Sequence, residues 1–190
     1  MKKLLYTLLA VSIIFSACEE DTPLPAANNN TNNNNSALAI GDTHQGGFIF
    51  YLDGNGGGLV VTPSNQGLAT WGTFGTSISG ADGIAIGTGA QNTIDIEVGC
   101  TTPGTAADIC ANLTLGGYND WFLPSEDELN EIYVSLHLQG LGDFGYILGF
   151  YSSSTEYDIF HHRALYFVTG EMKIINKASN AAYVRAVRAF

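Results

Sequence analysis

Gly116-Gly117-Tyr118-Asn119-Asp120-Trp121-Phe122-Leu123-Pro124-Ser125-Glu126-Asp127-Glu128-Leu129-Asn130-Glu131-Ile132-Tyr133 is the stretch around which the fold is organised. Its second half predicts a helix with a marked start. Ser125 can accept a hydrogen bond from a first-turn N–H, and Glu128, three residues on, can reach back to complete a capping box. Glu126, Asp127 and Glu128 place negative charge where the helix dipole is positive. Leu129, Ile132, Tyr133 and Leu136 recur at i, i+3, i+4, i+7, which is one buried face. The first half is an apolar knot, Trp121-Phe122-Leu123, between a Gly-Gly turn and Pro124. Trp121, Pro124, Ser125 and Glu128 are therefore expected to be architectural: a loop that docks aromatic residues and launches a helix.

The pattern Gly117-Tyr118-x-Asp120-Trp121-x-Leu123-Pro124-Ser125-x-x-Glu128-Leu129 resembles the signature of the Lcl C-terminal domain family, named for the C-terminal domain of a bacterial collagen-like adhesin. Three more pieces resemble it in the same order over residues 40–190: Gly46-Gly47-Phe48-Ile49-Phe50-Tyr51, Tyr151-Ser152-Ser153-Ser154-Thr155-Glu156 and Val184-Arg185-Ala186-Val187-Arg188-Ala189-Phe190. The Leu-Pro-Ser-x-x-Glu helix start and the closing Val-Arg strand are also similar to the formylglycine-generating enzyme type of C-type-lectin-like fold. The resemblance implies an α+β, C-type-lectin-like domain, with helices packed on short, mostly antiparallel strands and long loops. It implies no activity, because most members of the family have none assigned.

Outward from this stretch, residues 1–17 read as a lipoprotein signal peptide. Lys2-Lys3 is a positive n-region, and residues 4–15 are an apolar segment too short to span a bilayer as a helix. Phe15-Ser16-Ala17-Cys18 resembles a bacterial lipoprotein signal with Cys18 as the lipidated residue; the alternative is an ordinary secretory signal with a chance cysteine. Glu19-Glu20-Asp21 looks like the acidic tag that sends some lipoproteins to the outer face of the outer membrane. Residues 18–37, with an Asn run from Asn28 to Asn35, form a polar tether with little to bury, spanning roughly 20–25 Å. The globular domain is expected over residues 38–190.

Without Lys2 and Lys3, five basic residues stand against 18 acidic ones, a formal charge of −13. That argues against nucleic acid and against electrostatic docking on anionic lipid. It also departs from the naming adhesin, which resembles a binder of sulfated polysaccharide. All five remaining basic residues lie in 151–190.

Within the domain, residues 47–52 are apolar on both alternations and read as a buried strand, 53–58 as a turn, and 58–62 as the returning strand. Asp53 alone supplies too few carboxylates for a calcium loop. Residues 63–99, rich in Gly, Ser and Thr, read as a long loop anchored by Trp71 and Phe74, and as a binding face. A second helix follows Pro103, capped by Thr105 with Asp108. With Cys18 taken by lipid, Cys100 and Cys110 are left in an oxidising setting, and a disulfide between them is expected; a catalytic cysteine is the alternative. No metal site and no cofactor are expected, since no His is spaced to join the cysteines and His161-His162 alternate sides of a strand.

Residues 165–168, 172–175 and 182–190 complete the sheet. The last of these carries one Arg on each face, Arg185 and Arg188, so burial of either face requires an acidic partner or carbonyls. Ser152, Ser153, Ser154 and Thr155 lack a nucleophile elbow and read as satisfying backbone groups. Trp71, Asn92, Asn119, Asp120 and Glu156 are the candidate ligand residues, an aromatic face beside amides and carboxylates that suits a neutral glycan. The resulting expectation is a non-enzymatic, surface-exposed outer-membrane lipoprotein, held to the membrane by its anchor and recognising a cell-surface glycan or protein. The alternatives are an enzyme related to the formylglycine-generating type and a structural envelope protein without a ligand.

Overall fold

The structure, a computed structural model, describes residues 37–144 and 149–190. The expected signal segment, Cys18 and the tether up to residue 36 lie outside the described residues. In chain order the elements are β1 (Thr43–His44), β2 (Gly47–Leu52), β3 (Gly58–Val61), β4 (Leu68–Ala69), α1 (Gly89–Gly99), α2 (Ala106–Ala111), α3 (Glu126–Ser135), a short 3-10 turn (His137–Gln139), β5 (Phe150–Glu156), β6 (His161–Tyr166), β7 (Glu171–Asn176), β8 (Ala182–Tyr183) and β9 (Val187–Ala189). The architecture is mixed α+β. One sheet has the order β1-β2-β3-β9 and the other β4-β8-β5-β6-β7. All pairings are antiparallel except β5 with β8.

Alternation along the strands explains why there are two cores. Successive side chains of a strand point to opposite faces. In β2, Ile49 enters a core shared with Trp71, Ile96, Cys110, Trp121 and Val184, while Phe50 enters another with Leu129, Ile132, Phe144, Tyr151 and Phe167. Val60 joins the first core, Leu59 and Val61 the second. α1 and α2 supply the first core, α3 the second. The 121–123 knot feeds both: Trp121 and Leu123 go one way and Phe122 the other. Phe122 also bridges Val187 of β9 through reciprocal backbone bonds of 2.8 Å.

The helix start reads in the structure as it does in the sequence. The Ser125 side chain accepts from the Glu128 N–H, and Glu128 Oε2 accepts from the Ser125 N–H at 2.8 Å. Leu129, Ile132 and Leu136 are buried. The Gly116-Gly117 turn is needed sterically, because a Cβ on Gly116 would lie 2.7 Å from the Gly46 Cα. The expected hairpin is present; Asp53 Oδ1 closes it by accepting N–H bonds from Asn55 (2.7 Å) and Gly57 (3.0 Å). Thr105 caps α2 through the Asp108 N–H.

Three expectations are corrected. Residues 63–99 are not one long loop, because their last part is α1. Its inward positions are Gly89, Asn92, Thr93 and Ile96, helical in spacing but mostly polar or small. The strand expected over 182–190 is two, β8 in one sheet and β9 in the other. Between them the chain crosses over, with the Val184 N–H donating to Gly67 O and Ala186 O accepting from the Thr62 N–H, both at 2.9 Å. Finally, Cys100 and Cys110 are free thiols. Cys100 is the C-cap of α1 and Cys110 lies on the inner face of α2. They belong to different elements and pack into the first core as small apolar groups.

Candidate ligand-binding site

The candidate ligand residues do not converge. Trp71 is fully buried, so it is core and not part of a binding face. Its indole N–H donates to Ser153 O at 2.8 Å, one face stacks on His162 at 5.8 Å, and Lys177 Nζ lies 4.7 Å from the ring centre. Burial holds the His162 imidazole down to about 3, so the ring is neutral. Asn92 is also buried and spent on the frame: it donates to Gly83 O (2.7 Å) and Ser154 Oγ (3.1 Å) and accepts from the Gly83 N–H (3.2 Å). Glu156 pairs with the buried Lys177 and accepts from the Ile78 N–H (2.9 Å) and Ser77 Oγ (3.0 Å). These contacts pin the 71–83 loop onto β5 and use up Trp71, Asn92 and Glu156.

The two arginines divide as their surroundings demand. Arg185 is buried without a carboxylate and is satisfied by the carbonyls of Thr62 (3.0 Å), Pro63 (3.2 Å) and Gly142, with Phe144 4.2 Å below its guanidinium. Burial lowers it to about 10, still charged at neutral pH. Arg188 pairs with Asp120 and Gln45 and stacks 3.8 Å from the Tyr118 ring centre. Arg185 thus takes the carbonyl solution and Arg188 the acidic one, tying the terminal strand to the loop before α3. Glu128 has a further partner, the Gly87 N–H at 2.8 Å, and leaves no room for a side chain at Gly89. Burial pushes its carboxyl up, and its backbone donors pull it back only in part.

The Ser-rich strand is committed in part. Ser153 Oγ donates to Arg163 O (2.8 Å) and Thr155 Oγ1 to Gly83 O (2.8 Å), so these two hydroxyls serve the backbone as read from the sequence, whereas Ser154 Oγ accepts from the Asn92 amide and the buried Ser152 Oγ has no partner among the described residues.

Of the sequence candidates, Asn119 and Asp120 remain exposed. Asp120 stands at the rim of a groove of about 420 Å³ that the sequence reading missed. Its floor is Trp121 and Phe122, and its wall is the outer face of α1, with Ala90, Ile94, Glu97 and Val98. Ala111 at the end of α2 closes the far side. Ile94 and Val98 are 55% and 79% exposed, large apolar surface left facing water beside an aromatic floor. Their sequence signal is misleading: Ile94, Ile96 and Val98 alternate like a strand, whereas in the helix only Ile96 turns inward. The volume falls within the range of small-molecule sites.

No known protein-family model matches the chain, and no curated protein matches it.

Proposed function

We propose that the chain is a cell-envelope lipoprotein, anchored through Cys18, whose 38–190 domain is a non-enzymatic recognition or adhesion module of the C-type-lectin-like fold and the Lcl C-terminal type. The observation that carries the recognition reading is the groove between α1 and the 120–122 loop. It is concave, and it exposes Ile94 and Val98 beside the buried Trp121. Its floor, Trp121 and Phe122, and its rim residue Asp120 belong to the signature stretch. The Ser153 and Thr155 hydroxyls are spent on backbone carbonyls and His162 is buried and neutral, which favours binding over catalysis. The outer face of the outer membrane is the proposed location, and a cell-surface glycan or protein the proposed class of ligand.

The test is a glycan-array and protein-ligand screen of the mature chain, with and without calcium, beside an Ile94→Asp variant. Ile94 is exposed, so the variant should melt at the wild-type temperature and lose ligand. Full binding by the variant would remove the groove from the reading. Cys18→Ala should release the protein from membranes or leave it as unprocessed precursor.

A second reading, an enzyme of the formylglycine-generating type, is favoured by one observation: Cys100 and Cys110 are free. Burial raises the Cys100 thiol, but hydrogen bonds with Thr73 and Thr102 outweigh it and leave the thiol below its ordinary value. Cys110 is pushed up by burial and by Glu97. Two fast-reacting thiols in the native protein would favour the enzyme; two that react only after unfolding favour recognition.

A further inference from the structure

We propose that the groove takes a small organic ammonium ion, its apolar body on Trp121, Phe122, Ile94 and Val98 and its charged nitrogen against Glu97. This rests on the groove being the binding face.

The apolar half follows from exposure. A ligand body lying along the outer face of α1 would cover Val98 and Ile94, which stand 79% and 55% exposed, and would remove apolar area from water. The polar half follows from Glu97. Its Oε1 is sealed from solvent and has no hydrogen-bond partner among the described residues. No Lys, Arg or His lies within ion-pair distance of it among those residues, whereas the other groove carboxylate, Asp120, already holds Arg188. A carboxylate partly buried without a counter-charge is costly. Burial and the nearby Asp108 lift the Glu97 carboxyl above its ordinary value, as expected of an acid lacking a cation. An ammonium group in the groove beside Glu97 would supply the missing counter-charge and favour the ionised carboxylate. An anionic ligand meets Glu97 and Asp120. A neutral one fills the apolar half and leaves Glu97 as it is.

The probes are octylamine, octanol and octanoate, which share one body and differ in head-group charge. Each is titrated into the mature chain (residues 18–190 with Cys18→Ala), and the Ile94 and Val98 methyl signals are followed by NMR. Octylamine is expected to shift both and to bind at least tenfold more tightly than octanol. Glu97→Gln should bring octylamine to the level of octanol and leave octanol unchanged. Val98→Lys, at an exposed position, removes apolar surface that both probes use and adds a like charge, so it should weaken octylamine more than octanol, read from the Ile94 methyl. Equal binding of octylamine and octanol, tighter binding of octanoate, or an unaltered preference in both variants overturns the ammonium inference while the groove stands. If no probe moves either methyl, the groove reading falls as well.

Discussion

Lys177→Met tests the buried pair that holds the 71–83 loop. The Lys177 side chain is fully buried and its partner Glu156 is 7% exposed. Lys177 Nζ also donates to Thr76 O at 3.1 Å and lies over the Trp71 ring. Met restores most of the stem's apolar volume, so the loss is mainly electrostatic. Removing one partner of a buried pair costs about 3–5 kcal/mol, because the other charge is left uncompensated. Glu156 keeps its bonds from Ile78 and Ser77, which places the expected loss at the lower end, about 3 kcal/mol. For a domain of this size that is a fall in melting temperature of about 6–12 °C. Urea and thermal unfolding at neutral pH measure it. Glu156→Gln alone should also destabilise, and the double variant should cost about 1.5 kcal/mol less than the sum of the singles. A loss under about 1 kcal/mol for Lys177→Met, or strict additivity, would refute the view that this pair is a coupled anchor.

Glu128→Ala should cost about 2–3 kcal/mol by chemical denaturation, since the buried Ser125 N–H loses its acceptor and the exposed Gly87 loses its tie to α3; Glu128→Gln, which keeps one oxygen, should cost clearly less. Arg188→Ala should lower the melting temperature by several degrees by removing the contacts to Asp120, Gln45 and Tyr118, and an unchanged melting curve would show them to be idle. His162 gives a pH signature. Its folded value is about 3, far below the ordinary imidazole value, so below about pH 6.5 the unfolded chain takes up a proton that the folded chain refuses. The contribution is whole above about pH 6.5 and is lost as pH falls toward 3, with about 2 kcal/mol already lost at pH 5. His162→Phe should flatten the pH dependence over that window, measured as the difference between the two proteins' unfolding free energies.

Local chemistry determined much of this protein by itself. The capping box at Ser125 and Glu128, the buried face of α3, the Thr105 cap and the β2–β3 hairpin each depend on residues within a few positions of one another, so their signals survive in the sequence. The two-sided burial of β2 was legible for the same reason: a strand apolar on both alternations has to be covered on both faces. Tertiary structure decided what depended on partners far along the chain. α1 has no capping side chain and turns Asn92 and Thr93 inward, so its helical face becomes visible only once Gly83, Ser154 and Leu123 stand opposite to receive those groups. Trp71 passed for a surface aromatic because its neighbours are polar, yet its burial comes from His162, Lys177 and Ser153, some 80 to 105 residues downstream. Which arginine would find an acid, and whether two cysteines ten residues apart would meet, depended in the same way on where a crossover and two helices came to rest. The groove belongs with these. Glu97, Val98 and Trp121 become one site only because α1 packs beside the loop that launches α3, and spacing in a single chain does not encode that juxtaposition.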